Sequence, residues 1–151
     1  AVVFDGAELA PATADASAAL GIDAGALVHR SAKRFTADGV PVIYVVTSIP
    51  VELLGPDLAA ETARDPSLTE PLFAFLEQHL GLVTEYQLTS LEPCLGGAIE
   101  HPACPLDNTT AVLQMDETGF TLDHRPIWHS RNWYPPGPMR FQIARQRPSV
   151  R

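Results

Sequence analysis

The alternation of apolar and polar positions is clearest between Ala26 and Pro50, ALVHRSAKRFTADGVPVIYVVTSIP. Two runs rich in β-branched and apolar residues, Ala26 to Phe35 and Val40 to Ile49, flank Ala37-Asp38-Gly39. Asp-Gly between such runs signals a hairpin, because Gly tolerates positive φ and Asp tolerates the left-handed region. The second run is almost continuously apolar, which predicts a strand covered on both faces, one of them by helices. This hairpin is expected at the centre of an α+β domain.

The flanking patterns supply the rest. Residues 1–8 read as a loose or extended lead-in, the remnant of an interdomain linker. Ala10 to Leu20 is alanine-rich, with Pro11 near its start and Gly21 after its end, which predicts a short helix. Val51 to Arg64 is helical in character, with Pro56 and Asp57 opening GPDLAAETA. After an Asp65-Pro66-Ser67 turn, Thr69 is expected to cap a helix with Pro71 in its first turn. Leu72, Phe73, Phe75, Leu76, His79 and Leu80 form its apolar stripe and Gly81 ends it.

Leu82 to Leu91 alternates as a strand, and Glu92 to Asp107 reads as a loop holding Cys94 and Cys104. Thr109 to Phe120 and Pro126 to Tyr134 predict paired strands about a Leu122–Arg125 turn. Pro135-Pro136-Gly137-Pro138 is a rigid break before a last strand at Met139–Ala144. The count is five or six strands and two or three helices. Short turns between strands imply an antiparallel sheet, with the helices on one face.

A length of 151 residues fits one domain. A net charge of −8 argues against direct contact with nucleic acid or an anionic membrane surface. No apolar run approaches the ~20 residues that span a bilayer, and the N-terminus lacks a secretory signal pattern. Two cysteines are too few for a disulfide framework and fit a reducing cytoplasm. With no initiator Met, the chain is expected to be an excised or processed fragment.

Little in the sequence points to turnover. His101 and Cys104 are the only closely spaced His/Cys pair, and His29, His124 and His129 are scattered, so no metal site is expected. The pair is expected as an exposed His and a packed Cys on a loop. No G-x-S-x-G turn or phosphate-binding Gly loop occurs, and no catalytic residue or cofactor is assigned. Arg30, Lys33, Arg34, Arg131 and Arg140 are strand-borne cations able to meet an anionic ligand, although each alone is ordinarily a solvated residue. Phe35, Phe73, Trp128, Trp133 and Tyr134 are large aromatics on converging elements, and each alone is ordinarily core.

The hairpin with its "ADG-x-P-V-x-Y" centre resembles the UTRA effector-binding domain of bacterial GntR/HutC-type transcriptional regulators. LFAFLEQHLG at 72–81, TAVLQMDETGFTLDHRPI at 110–127 and PMRFQI at 138–143 resemble that family's helix, paired strands and closing strand, in order and spacing. The resemblance implies a chorismate-lyase-like fold, a small-molecule effector and a homodimer. It also implies contact with DNA only through a winged helix-turn-helix domain absent from this chain.

The departures from the family pattern concern the ligand. Lys33 and Phe35 stand where sugar-phosphate-sensing members carry a basic pair. Val45 and Trp128 stand at positions of glutamates, and Pro71 and Phe73 at those of a Ser and a Tyr. Tyr134 is retained. Hydroxyls buried against such a wall without partners would cost roughly 1–3 kcal/mol each. The expected effector is therefore an apolar or aromatic small acid rather than a sugar phosphate. It is expected between sheet and helix, against Phe35, Val45, Phe73, Trp128 and Tyr134, its charge met by Lys33 or Arg30. A chorismate-lyase-like enzyme and a ligand-free dimerisation module are the alternatives.

Overall fold

Asp38 and Gly39 take positive φ, 50° and 79°, and close a two-residue turn between β2 (Leu27–Ala37) and β3 (Val40–Pro50). This is the expected hairpin. The computed structural model describes residues 1–137 and 139–145. The other elements are β1 (Val2–Pro11), α1 (Ala14–Leu20), α2 (Val51–Leu54), α3 (Pro56–Arg64), α4 (Leu72–Leu80), β4 (Tyr86–Leu95), β5 (Ala111–Phe120) and β6 (Pro126–Tyr134). All six strands form one antiparallel sheet in the order β1-β2-β3-β6-β5-β4, so the hairpin lies inside it.

Several boundaries differ from the sequence reading. Residues 1–8 are not a loose linker remnant: residues 2–8 belong to β1, whose ladder on β2 runs from Val2 opposite Phe35 to Pro11 opposite Leu27. The register skips Asp5, and Gly6 at φ 138° takes a conformation that suits glycine alone. The first helix begins four residues late, because the Thr13 hydroxyl accepts the Ala16 N–H at 3.2 Å and so sets its start. The second is divided at Gly55 into α2 and α3.

Thr69 caps nothing. Its hydroxyl donates to the Pro66 carbonyl at 2.7 Å within a 3-10 turn, and Pro71 stands at the start of α4. β4 lies four residues further on than expected, running through Pro93, which an edge strand tolerates because its outer N–H side has no partner. Met139–Ala144 makes no strand. Phe141 packs edge-on against Tyr134, with ring centroids 4.6 Å apart, while its backbone joins no ladder. Pro138 lies outside the described residues.

The helices do not share one face. α2, α3 and α4 cover the side of the sheet from which Ile49 and Trp128 project, and Leu54, Ala59, Phe75 and Leu76 complete that core. Each of the buried Ile, Leu and Phe side chains contributes about 1.5–3 kcal/mol. α1 lies on the opposite side, where Asp15 pairs with Arg131 of β6 at 2.9 Å. There the loop after β4 covers Tyr44, Val112 and Trp133 with Ile99, Cys104 and Leu106. His101 in that loop is buried rather than exposed: Nε2 bonds the Lys33 carbonyl at 3.0 Å, and the ring meets Tyr44 edge-on.

Candidate functional site

Alternation along the strands puts one set of side chains under α4. Lys33 and Phe35 of β2, Val45 and Thr47 of β3, and Trp128, Ser130, Asn132 and Tyr134 of β6 all point there. Together with Glu117 of β5 and Phe73 of α4 they enclose a cleft of about 290 Å³. Six of the seven site residues expected from sequence meet here: Lys33, Phe35, Val45, Phe73, Trp128 and Tyr134.

Arg30 does not. It lies an odd number of residues from Lys33 and so projects from the other face, where it pairs with Glu8 at 3.2 Å and donates to the Pro11 carbonyl at 2.6 Å. Among the described residues Lys33 is the one cation lining the cleft.

The roof is apolar. Phe73 is half exposed at the mouth and leans over Trp128, with ring centroids 5.8 Å apart. The indole N–H donates to the Thr84 hydroxyl at 3.1 Å, which fixes the ring. Space for that ring comes from Gly119 on the neighbouring strand, where any Cβ would overlap the indole.

The floor is polar, which corrects the expectation of an apolar wall. Thr47 and Ser130 share a hydrogen bond of 3.2 Å, and Ser130 donates to Asn132 Oδ1 at 3.4 Å. Asn132 Nδ2 donates to Glu117 Oε2 at 2.9 Å, and Thr89 donates to Glu117 Oε1 at 3.5 Å. The chain of dipoles thus ends on a carboxylate. Burial pushes the Glu117 acid up, against the pull of Asn132 and Thr89. Thr47, Ser130, Asn132 and Glu117 were absent from the sequence reading. Their signal was parity: Thr47 is two residues from Val45, and Ser130 and Asn132 lie between Trp128 and Tyr134.

Lys33 sets the electrostatics. Its side chain is 8% exposed and pairs with Glu70, which precedes α4. Its ammonium lies 5.5 Å from the centre of the Phe35 ring. Burial pushes it down to about 8, and the adjacent Glu70 carboxylate favours the charged form at neutral pH. The cleft therefore offers one ammonium, an aromatic roof and a hydrogen-bonding floor. That inventory suits recognition. Among the described residues no three His, Cys, Asp or Glu side chains gather as a metal ion would require.

The UTRA domain model matches residues 4–139. Solved structures share the fold. A GntR-family transcriptional regulator from Bacillus cereus superposes with a TM-score of 0.79 at 15% identity, covering 97% of this chain and 98% of that one. A GntR-family regulator from Enterococcus faecalis V583 gives 0.78 at 16% identity, covering 96% and 100%. The effector domain of PhnF from Mycobacterium smegmatis gives 0.73 at 21% identity, covering 97% and 86%. No curated protein matches the chain.

Proposed function

The chain belongs to the UTRA domain family, and we propose that its cleft under α4 senses a small-molecule effector for a bacterial GntR-type transcriptional regulator of the HutC subfamily. As a UTRA domain it is a ligand-sensing regulatory module and not an enzyme. The observation that carries the finer reading is the meeting of a single buried cation, Lys33, with Phe35, Phe73, Trp128 and Tyr134 in one cleft.

The effector is a small aromatic or heteroaromatic acid. Its carboxylate displaces Glu70 from Lys33, its ring lies under Phe73 against Trp128, and its own N–H or O–H donors face Glu117. A cleft of about 290 Å³ lies near the lower bound for small-molecule sites. One cation is poorly matched to a phosphate dianion, which favours several donors.

The regulator works as a cytoplasmic homodimer. β4 is an edge strand that leaves Leu88, Leu91 and Leu95 61%, 45% and 54% exposed, a surface suited to a second copy. Effector binding shifts the dimer between arrangements that space the winged helix-turn-helix heads, and those heads alone read DNA.

A calorimetric screen of aromatic acids, amino acids and sugar phosphates tests the site. Saturable binding of an aromatic acid that is lost in Lys33→Met supports it. Tight binding of a sugar phosphate would overturn the choice of effector. Silence across the library would leave the cleft a packing feature of a dimerisation module.

A further inference from the structure

The opposite face of the sheet holds a second cavity, about 460 Å³ and larger than the cleft under α4. It is bounded by β1, α1 and the loop after β4, and Ala32, Val46 and Trp133 form its apolar base. This volume lies within the range of small-molecule sites. Its strand residues alternate with those of the first cleft, so the two cavities are separated by the sheet.

Among the described residues the lining carries four carboxylates, Asp5, Glu8, Asp15 and Glu100, against two guanidiniums, Arg30 and Arg131. Both guanidiniums are already engaged. Arg30 is paired with Glu8, and Arg131 with Asp15 and with Asp116. Arg34 on Asp5 and Asp116 on Arg131 stand just outside the lining and offset each other. Negative charge is left in excess.

Asp5 carries the argument further. The β1 bulge makes it the extra residue of the ladder and turns it to the cavity side. Its side chain is 8% exposed, Oδ1 pairs with Arg34 at 3.0 Å, and buried Oδ2 has no hydrogen-bond partner among the described residues. His101 Nε2 is 3.9 Å from Oδ2 but cannot serve it. That nitrogen must donate to the Lys33 carbonyl at 3.0 Å, and Nδ1 accepts the Ala103 N–H at 3.2 Å. A buried carboxylate oxygen without a donor is costly, and a ligand ammonium would supply that donor.

We propose that this cavity is a second small-molecule site, specific for an organic cation: an amine or guanidine on a small apolar or aromatic body. The cation meets Asp5 and Glu100, and the body rests on Val46 and Trp133. The site is independent of the effector cleft, and either can fail without the other.

Phenethylamine and its carboxylate counterpart 3-phenylpropionate are titrated into the isotope-labelled chain, with backbone amide signals as the readout. Phenethylamine is expected to saturate and to move the signals of Asp5, Gly6 and His129. It should bind about tenfold more weakly to Asp5→Asn, the loss of one charge-assisted contact. Glu100→Gln, at an exposed loop position, should also weaken it. Val46→Phe, which fills the base, should abolish it, and Phe73→Ala in the other cleft should leave it intact. Binding unchanged in both Asp5→Asn and Glu100→Gln, equal response to 3-phenylpropionate, shifts confined to the Lys33 side, or no saturation at millimolar amine would each overturn the proposal. In the last case a peptide segment or a second copy becomes the candidate occupant.

Discussion

Lys33 and Arg131 are both cations on inner strands of one sheet, but on opposite faces, and their surroundings give them different work. Among the described residues Lys33 has a single carboxylate partner, Glu70, and burial pushes its ammonium down to about 8. Arg131 has two. Its Nε donates to Asp116 at 2.6 Å, and its Nη2 reaches both Asp116 and Asp15. Those hydrogen bonds raise its pKa despite burial. A guanidinium gripped bidentately by Asp116 of β5, with Asp15 of α1 on the same Nη2, is committed to joining these elements. A desolvated ammonium with one exchangeable partner remains available to a ligand. The number of partners, more than the sign of the charge, separates the committed cation from the available one.

The largest expected effect tests the structural half of this contrast. Arg131→Ala leaves the half-buried Asp116 without its cation and unties α1, and should cost about 3 kcal/mol in urea denaturation. A loss below about 1 kcal/mol would show that the clamp is solvated and dispensable. Lys33→Met tests the other half. Stability should fall by about 1–2 kcal/mol, less than in Arg131→Ala, because Glu70 loses its cation but keeps part of its surface in solvent. Affinity for an aromatic acid should fall at least about tenfold by calorimetry.

The pH profile sharpens the same point. A ligand carboxylate favours the charged form of Lys33, so acid affinity should hold at neutral pH and decline as the pH passes about 8. A flat profile across that value would mean that another group binds the acid. The smallest effect belongs to Arg30→Ala. Its partner Glu8 is largely exposed, so stability should change by less than about 1 kcal/mol, and acid affinity should not change.

Much of the fold was legible because the relevant signals are local. Asp38-Gly39 announced the hairpin, Gly21 and Gly81 ended their helices, and Phe120 and Pro126 bounded the turn between β5 and β6. β1 was obscured by its own bulge: the skipped residue at Asp5 resets the alternation, so VVFDGAELAP has no steady period of two. The opposite error at Met139–Ala144 arose because alternation alone does not make a strand: the backbone there joins no ladder, and local pattern says nothing of pairing. The lining of the candidate cleft was legible where a family position could be matched to a residue, as at Lys33 or Trp128. Arg30 was misplaced because facing depends on strict parity along β2. The polar floor was missed for a related reason: Thr47, Ser130 and Asn132 look like ordinary strand residues until the register sets them side by side.

Gly119 also constrains the lineage. Every missense change of a glycine codon adds a Cβ, and at this position any Cβ strikes the Trp128 indole. While the tryptophan is present, the glycine cannot drift, and a shrinking mutation at 128 must come first. Descendants and cousins that carry a smaller or straighter residue at 128 are released from that restriction. The two positions, on adjacent strands and nine apart in sequence, should therefore be inherited as a pair, and an aromatic roof over this cleft should travel with a bare backbone beside it.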